Sequence, residues 1–144
     1  MNLVFRILFV ALVVFGAPLA SAGELAVIVN AELDVTTLTK EQVAAYFLKN
    51  QASWPSGSSV DPVFYAEDNP LRVAFDKAVL SMTPGEEDRH WIEKGYAGGI
   101  KPPAKVPEEK MALALVALKK GALAYVSAAS ATDPKVKIVL KVSY

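Results

Sequence analysis

The chain contains no cysteine and only one histidine, His90. The absence of cysteine excludes disulfide bonds, thiolate metal sites and cysteine nucleophiles. A metal site needs several convergent ligands, and one histidine beside helix carboxylates is a weak basis for one. We therefore expect His90 to be a surface residue, and we expect neither a metal site nor a cofactor.

The motifs of common catalytic sites are also missing. The sequence has no G-x-S-x-G, no H-E-x-x-H and no phosphate-binding P-loop motif. The consecutive acids Glu86, Glu87 and Asp88 fall in the predicted first turn of a helix, where carboxylates favour the helix dipole without any catalytic role. We expect a protein that is not an enzyme and has no catalytic residues.

A basic excess is lacking as well. The chain has 15 Lys and Arg residues against 15 Asp and Glu residues, and 14 against 15 once the N-terminal segment with Arg6 is removed. Binding to the phosphate backbone of a nucleic acid requires a clustered basic excess. The charge balance therefore argues against nucleic acid as a partner.

Residues 1–22 have the pattern of a secretory signal peptide. Arg6 is their only charge, the run 7–15 is apolar, and the segment ends in a small-residue A-x-A cleavage site. The apolar run is short for the roughly 30 Å of bilayer hydrocarbon, so cleavage before Gly23 is favoured over the alternative of a retained membrane anchor. The sequence predicts a periplasmic protein with a single domain at 23–144 and no stable membrane span after cleavage.

Strand and helix patterns alternate along residues 23–144. The predicted strands are Glu24–Asn30, 60–66, Ala122–Ser127 and 136–142. The predicted helices begin at Thr39, at Asp68 or Asn69, at Thr83 and at Pro107, and a Gly- and Pro-rich connector is predicted at 96–107. This order predicts an α/β domain in which a mostly parallel sheet is flanked by helices.

Two apolar runs predict deep burial. The strand Glu24–Asn30 is rich in apolar and β-branched residues, which suits a strand buried on both faces, as in a parallel sheet. The run 111–118, MALALVAL, is apolar on nearly all sides of its predicted helix, and such a helix is normally buried.

Three motifs occur in a characteristic order. The segment 38–48 is a predicted helix that begins Leu-Thr and ends Phe-Leu, the turn 54–57 reads Trp-Pro-Ser-Gly, and the segment 121–126 reads Gly-Ala-Leu-Ala-Tyr-Val. They resemble the L-S-x-x-x-[IL]-x-x-I-F-L-G-K helix, the W-x-D-G turn and the G-A-I-G-Y-V strand of the phosphate-binding subunits of ABC importers, which are type 2 periplasmic binding proteins. The resemblance implies a single lobe of that fold, because the family's proteins close two lobes on the ligand and this chain has the length for one.

The family's anion-binding loop, R-x-D-G-S-G-T, is replaced in this chain. It corresponds to residues 65–71, in which Asn69, Pro70 and Leu71 stand for Ser-Gly-Thr and the Arg is missing. Pro70 has no N–H to offer an anion, a cap at Asp68 or Asn69 would satisfy other donors, and two acidic residues add negative charge.

The resemblance implies phosphate or a related small oxyanion as the ligand class, with Asp68, Asn69, Leu71 and Arg72 as the candidate binding residues. Arg72 lies one turn into the predicted helix, where it can offset the acidic charge or pair with Asp68. The alternative is that this segment is a well-capped helix that contacts no ligand.

Two functions follow from these observations. The first is a periplasmic solute-binding-like protein with weak or lost oxyanion binding, because one lobe makes half of the usual contacts and cannot exclude water by closure. The alternative is a non-enzymatic interaction module that docks on an inner-membrane transporter or sensor protein through the turn at Trp54 and the connector 96–107. The side chain of Trp54 itself is predicted to cover the core.

Overall fold

The computed structural model describes residues 23–144, and the predicted signal peptide at 1–22 lies outside the described residues. The strands are β1 (Glu24–Asn30), β2 (Asp61–Tyr65), β3 (Ala104–Val106), β4 (Ala122–Ser127) and β5 (Val136–Ser143). The helices are α1 (Lys40–Phe47), α2 (Pro70–Phe75), α3 (Pro84–Gly98) and α4 (Glu109–Leu118), with a π-helical turn at Asp76–Leu80 and a 3₁₀ turn at Ala128–Ser130. None of the helices in this part of the chain combines the length and the apolarity needed to cross a membrane.

The five strands form one sheet in the order β3-β2-β4-β1-β5. β2 pairs in parallel with β3 and β4, whereas β1 runs antiparallel to both of its neighbours, β4 and β5. Four strands therefore point the same way and β1 is reversed, which confirms the predicted α/β lobe with a mostly parallel sheet. β1 is buried along most of its length, as its apolar run predicts, but burial on both faces does not specify the direction of a strand.

Local capping signals place three helix starts close to where the sequence predicts them. Thr39 and Thr83 each close a capping box with the residue three positions later, at the starts of α1 and α3. At α2, Asn69 rather than Asp68 is the cap, and Pro70 is the first helical residue.

The connector predicted at 96–107 is shorter in the structure. α3 continues to Gly98 and ends at Gly99, whose left-handed φ of 66° stops the helix. β3 then pairs with β2, and it has no counterpart in the prediction because three residues beside prolines give no alternation of polarity. α4 begins at Glu109, two positions after the predicted start at Pro107.

α4 is less buried than its sequence predicts. Ala112 and Val116 are fully buried, but Met111 is 45% exposed and Leu118 is 80% exposed. The prediction of deep burial is therefore wrong. The rest of residues 23–144 covers only one face of this helix, and apolar side chains on the other face remain in solvent.

An aromatic cluster lies between the sheet and the first two helices. The ring centroid of Phe47 is 4.6 Å from that of Phe75 and 5.6 Å from that of Tyr125, and Phe75 stacks on Tyr125 with centroids 3.9 Å apart. Trp54 is buried too, so its side chain covers the core as predicted, while the rest of its turn, 55–59, is exposed. This cluster fixes α2 and thereby positions the residues at its start.

Candidate functional site

The start of α2 offers few free donors to an anion. Pro70 has no N–H, and the side-chain oxygen of Asn69 accepts the N–H of Leu71 at 2.9 Å. Because a helix start binds anions through free N–H groups, these two features reduce the capacity of this segment to hold one.

The four candidate residues divide into two groups. Asp68 is exposed and both Asn69 and Leu71 are half-buried, and the three lie together around the start of α2. Arg72 is instead 3% exposed. Its guanidinium pairs with two buried acids, one of which is Asp76, rather than with Asp68.

The acid that precedes this turn is also paired within the chain. Lys105 of β3 donates a hydrogen bond to the carboxylate of Glu67, and this bond lowers the pKa of Glu67. Both side chains are largely in solvent, so the pair contributes little to stability.

The guanidinium of Arg72 makes a hydrogen bond through each of its three nitrogens. Nε donates to both carboxylate oxygens of Asp76, at 2.9 and 3.0 Å. One terminal nitrogen donates to the carbonyl oxygen of Tyr65 at 2.8 Å, and the other donates to the carboxylate of Glu87. The group also lies over an aromatic ring, with Cζ 3.8 Å from the ring centroid of Phe64. Arg72 therefore connects β2, the π-helical turn and α3.

Two buried carboxylates share this one guanidinium, so negative charge exceeds positive charge when both are ionised. Burial, reinforced by Glu87, raises the pKa of Asp76 to about 7. Burial alone would lower the pKa of Arg72, but the charges of Asp76 and Glu87 outweigh it and the net shift is upward. Asp76 therefore exchanges its proton near neutral pH while the guanidinium stays charged.

Two buried tyrosines lie beside this cluster. The hydroxyl of Tyr65 donates to the backbone carbonyl of Tyr125 at 2.7 Å. Among the buried side-chain polar atoms of residues 23–144, the hydroxyl of Tyr125 alone has no hydrogen-bond partner. Burial raises the pKa of both tyrosines, so both are neutral. An unpartnered buried hydroxyl costs about 1–3 kcal/mol, which a water or a ligand can recover.

Two cavities flank the contact between Arg72 and Glu87, and both residues line each of them. One cavity has a volume of about 390 Å³ and reaches Met82, and the other has about 350 Å³ and reaches Phe64 and Trp91. Each volume lies in the range of pockets that accept small ligands.

A wider cavity of about 730 Å³ lies on the outer face of α2, where Asp68, Val73 and Tyr144 border it. It includes one residue of the predicted set, but Arg72 does not line it. The charged cluster and the widest cavity of this region are therefore separate features.

The three acids at the start of α3 have different surroundings. Glu86 completes the capping box, Asp88 is exposed, and Glu87 is buried against Arg72. The helix dipole therefore does not account for Glu87, which binds a residue 15 positions earlier in the chain. Asp76 and Glu87 are absent from the predicted site. The i, i+4 spacing from Arg72 to Asp76 is a recognisable ion-pair signal, whereas no local pattern marks Glu87.

His90 is half-buried, so it is less exposed than a free surface position would be. Its Nε2 lies 2.8 Å from the carbonyl oxygen of Leu48, which ties α3 to the end of α1. In the part of the chain that the structure describes, no three histidine or carboxylate side chains are grouped as a metal ion would require.

No protein-family model and no curated protein matches the sequence. Solved structures do match the fold. An ABC-type phosphate transport receptor from Vibrio cholerae is 22% identical and aligns over 82% of this chain and 46% of its own, with a TM-score of 0.65. A putative phosphate ABC transporter substrate-binding protein with bound phosphate, from Clostridium perfringens, is 18% identical over 83% of this chain and 45% of its own, with a TM-score of 0.67. PstS from Borrelia burgdorferi is 13% identical over 83% of this chain and 48% of its own, with a TM-score of 0.65.

At these identities the likeness shows the fold alone. This chain spans less than half the length of each of the three proteins, which agrees with the single lobe that the motifs predict. Residues 23–144 therefore have the fold of one lobe of a substrate-binding protein of the phosphate ABC transporter type.

Proposed function

We propose that this chain is a periplasmic, solute-binding-like protein whose own oxyanion binding is weak or lost. The observation that carries the proposal is the pairing of Arg72, the buried cation that follows the replaced loop at 65–71. Its three guanidinium nitrogens donate to Asp76, Tyr65 and Glu87 of the same chain. Two buried carboxylates therefore already balance the positive charge of Arg72, and an anion from solution would meet negative charge beside it.

The solved structures support the class of ligand. Two of them are described as phosphate transport proteins, and one of these holds phosphate. For this chain the nominal ligand is therefore a small oxyanion such as phosphate, with Asp68, Asn69, Leu71 and Arg72 as the proposed contact residues. Since those relatives are binding proteins by description, we propose a role without catalysis.

A thermal-shift titration of the exported protein tests this proposal, with phosphate, sulfate and molybdate as ligands and chloride at matched ionic strength as the control. A ligand at about a hundred times its Kd stabilises a protein by about 2.7 kcal/mol. In a domain of this size that raises the unfolding midpoint by roughly ten degrees. We expect no saturable shift below millimolar anion, and a saturable shift at micromolar anion would contradict the proposal.

The contact residues are tested separately, by Asn69→Ala. If a millimolar anion shift exists, Asn69→Ala should change its midpoint concentration while the protein stays folded, because the variant removes the side-chain amide and releases the Leu71 N–H. Thr39→Ala is the matched control, because it also removes a helix cap but lies at the start of α1. An unchanged midpoint concentration in Asn69→Ala would show that the anion binds elsewhere.

A second candidate is an interaction module that docks on an inner-membrane transporter or sensor protein. The exposed apolar side chains of two helices favour it, with Met111 and Leu118 on α4 and both Ile92 and Tyr96 on α3. Isolated exposed apolar residues are common, but a helix that is apolar on all sides is normally covered.

Crosslinking in cells tests the docking role. Leu118→Ser should reduce the recovery of a crosslinked inner-membrane transporter or sensor, because it removes the most exposed apolar side chain of α4. Lys120→Ser, a change at an exposed polar position two residues away, is the control. A protein that is strictly monomeric and recovers no such partner would contradict this role.

A further inference from the structure

We infer that α3 is a displaceable latch, whose Glu87 carboxylate occupies a small-oxyanion site on Arg72 that opens when the helix moves away. The inference rests on the proposed function, since it states why free binding is weak and how it is restored. Three observations carry it: the small buried area of α3, the arrangement of the hydrogen bonds that Arg72 donates, and the two cavities beside those bonds.

The attachment of α3 to the rest of the lobe is mainly polar, and Trp91 is the one apolar side chain of this helix that packs, half-buried, against the core. Glu87 is the only side chain among the 15 residues of α3 that is fully buried. Two further side chains reach backbone carbonyls near the end of α1, His90 at 2.8 Å from that of Leu48 and Lys94 at 3.3 Å from that of Lys49. A helix with so little buried apolar surface belongs to the least stable part of a fold.

Both ends of α3 allow it to move as a unit. The chain enters it after Ser81, which adopts a left-handed φ of 54°, and leaves it through Gly99, at a φ of 66°. Each is a single residue that changes the direction of the chain, and hinges are commonly made of a few such residues at the ends of elements.

The acceptors of the Arg72 hydrogen bonds fall into a fixed set and a removable one. Asp76 lies one helical turn away and Tyr65 lies on β2, so both remain in place when α3 moves. Glu87 is the one partner that α3 supplies. Its departure leaves a positioned guanidinium with one free edge, and a guanidinium edge is suited to a carboxylate or phosphate oxygen.

The surroundings of that edge have room for an anion. The cavities of about 390 and 350 Å³ meet at the Arg72–Glu87 contact, and the loss of the Glu87 side chain would join them. The hydroxyl of Tyr125 is buried and unpartnered, but Tyr125 lines neither cavity, so the space beside Arg72 is what an anion would use. Glu87 thus takes the place that the anion would take.

The first test compares Glu87→Gln and Glu87→Ala with the unaltered protein in a thermal-shift titration with inorganic phosphate and with acetate. Glu87→Gln keeps the side-chain volume but removes the competing charge, so it serves if the alanine variant does not fold. We expect both anions to bind the variants at least about tenfold more tightly, which corresponds to about 1.4 kcal/mol. Glu93→Gln, an exposed acid on the same helix, is the matched control and should behave as the unaltered protein.

General salt effects are separated by this design, because phosphate stabilises folded proteins non-specifically and does so in every variant. Equal shifts in Glu87→Gln, Glu93→Gln and the unaltered protein would therefore overturn the oxyanion site. Such a result would leave the proposal of weak or lost binding intact. Tight binding by the unaltered protein would instead overturn the proposed function.

The second test is hydrogen exchange of the unaltered protein with and without high phosphate. Because the anion binds the open form, and a helix of this length is only marginally stable without its contacts to the lobe, phosphate should increase the exchange of the α3 amides and leave those of β4 unchanged. Exchange in α3 that does not change with phosphate, in a titration where Glu87→Gln binds it, would overturn the displacement of the helix.

Discussion

The indole nitrogen of Trp54 donates a hydrogen bond to the backbone carbonyl of Gly121 at 3.1 Å, across 67 positions of the chain. The bond joins the turn after α1 to the residue that leads into β4. These are two of the three segments that carry the family resemblance. Residues of two motifs are therefore bonded directly to each other in the fold.

Replacement of Trp54 by Phe should destabilise the protein by about 1–3 kcal/mol. The change removes the donor, leaves the Asp61 N–H as the remaining partner of the Gly121 carbonyl and shrinks a buried ring that packs 4.6 Å from Tyr46. Urea denaturation followed by circular dichroism measures the loss. Trp91→Phe is the control, because that indole is half-buried and lies 3.4 Å from its acceptor, and an equal loss in both variants would contradict the assignment.

Gly121 is predicted to tolerate no side chain. A Cβ at this position would overlap the backbone carbonyl oxygen of Ser59, which cannot rotate away as a side chain can. Gly121→Ala should therefore cost about 1–3 kcal/mol of the free energy of unfolding. Gly95→Ala, in a helix with open space around it, should instead raise stability by about 0.5–1 kcal/mol. Denaturant unfolding measures both variants. A shift of the two unfolding midpoints in the same direction would contradict the prediction.

Arg72 should be the most sensitive charged position. Arg72→Met leaves the buried carboxylates of Asp76 and Glu87 without a counter-ion, a change that typically costs about 3–5 kcal/mol. Arg89→Met changes an exposed arginine of α3 and should alter stability by less than about 0.5 kcal/mol. Addition of Asp76→Asn and Glu87→Gln to Arg72→Met should recover most of the lost free energy of unfolding, measured by urea denaturation. No recovery would show that the loss comes from packing and not from the two unpaired carboxylates.

Stability should depend on pH through Asp76. Its pKa in the folded protein is raised from 3.8 to about 7, so the folded state holds this proton more tightly than the unfolded state does. The contribution of Asp76 is therefore fully present below about pH 4 and is lost as the pH rises through 7. Asp76→Asn should remove this part of the pH dependence. The measurement is the unfolding midpoint of the unaltered protein minus that of the variant, from pH 4 to 8. This difference should decline as the pH rises.

Asp88→Asn is the control for that experiment, because Asp88 is exposed on the first turn of α3. The difference in unfolding midpoint between the unaltered protein and Asp88→Asn should hardly change over the same pH range. A difference that hardly changes for Asp76→Asn as well would show that this carboxyl is ionised throughout.

Much of the architecture can be predicted from short segments of sequence. The capping residues Thr39, Asn69 and Thr83 mark three helix starts, and apolar runs mark β1 and β4, because these signals depend on neighbours within a few positions. Cap chemistry and the motif resemblance predict the candidate segment 68–71 in the same way.

Adjacent residues encode the order of the helices and of four of the five strands, the caps and the likeness to one lobe of a binding protein, so short segments of sequence were enough to predict them. The three-dimensional fold was needed to show that β3 pairs with β2, that β1 runs against its neighbours, that part of the apolar surface of α4 stays in solvent, and that Glu87 meets Arg72. These features depend on segments distant in the chain. The free energy of a strand pairing, a buried face or an ion pair belongs to both partners together, so neither segment specifies it alone.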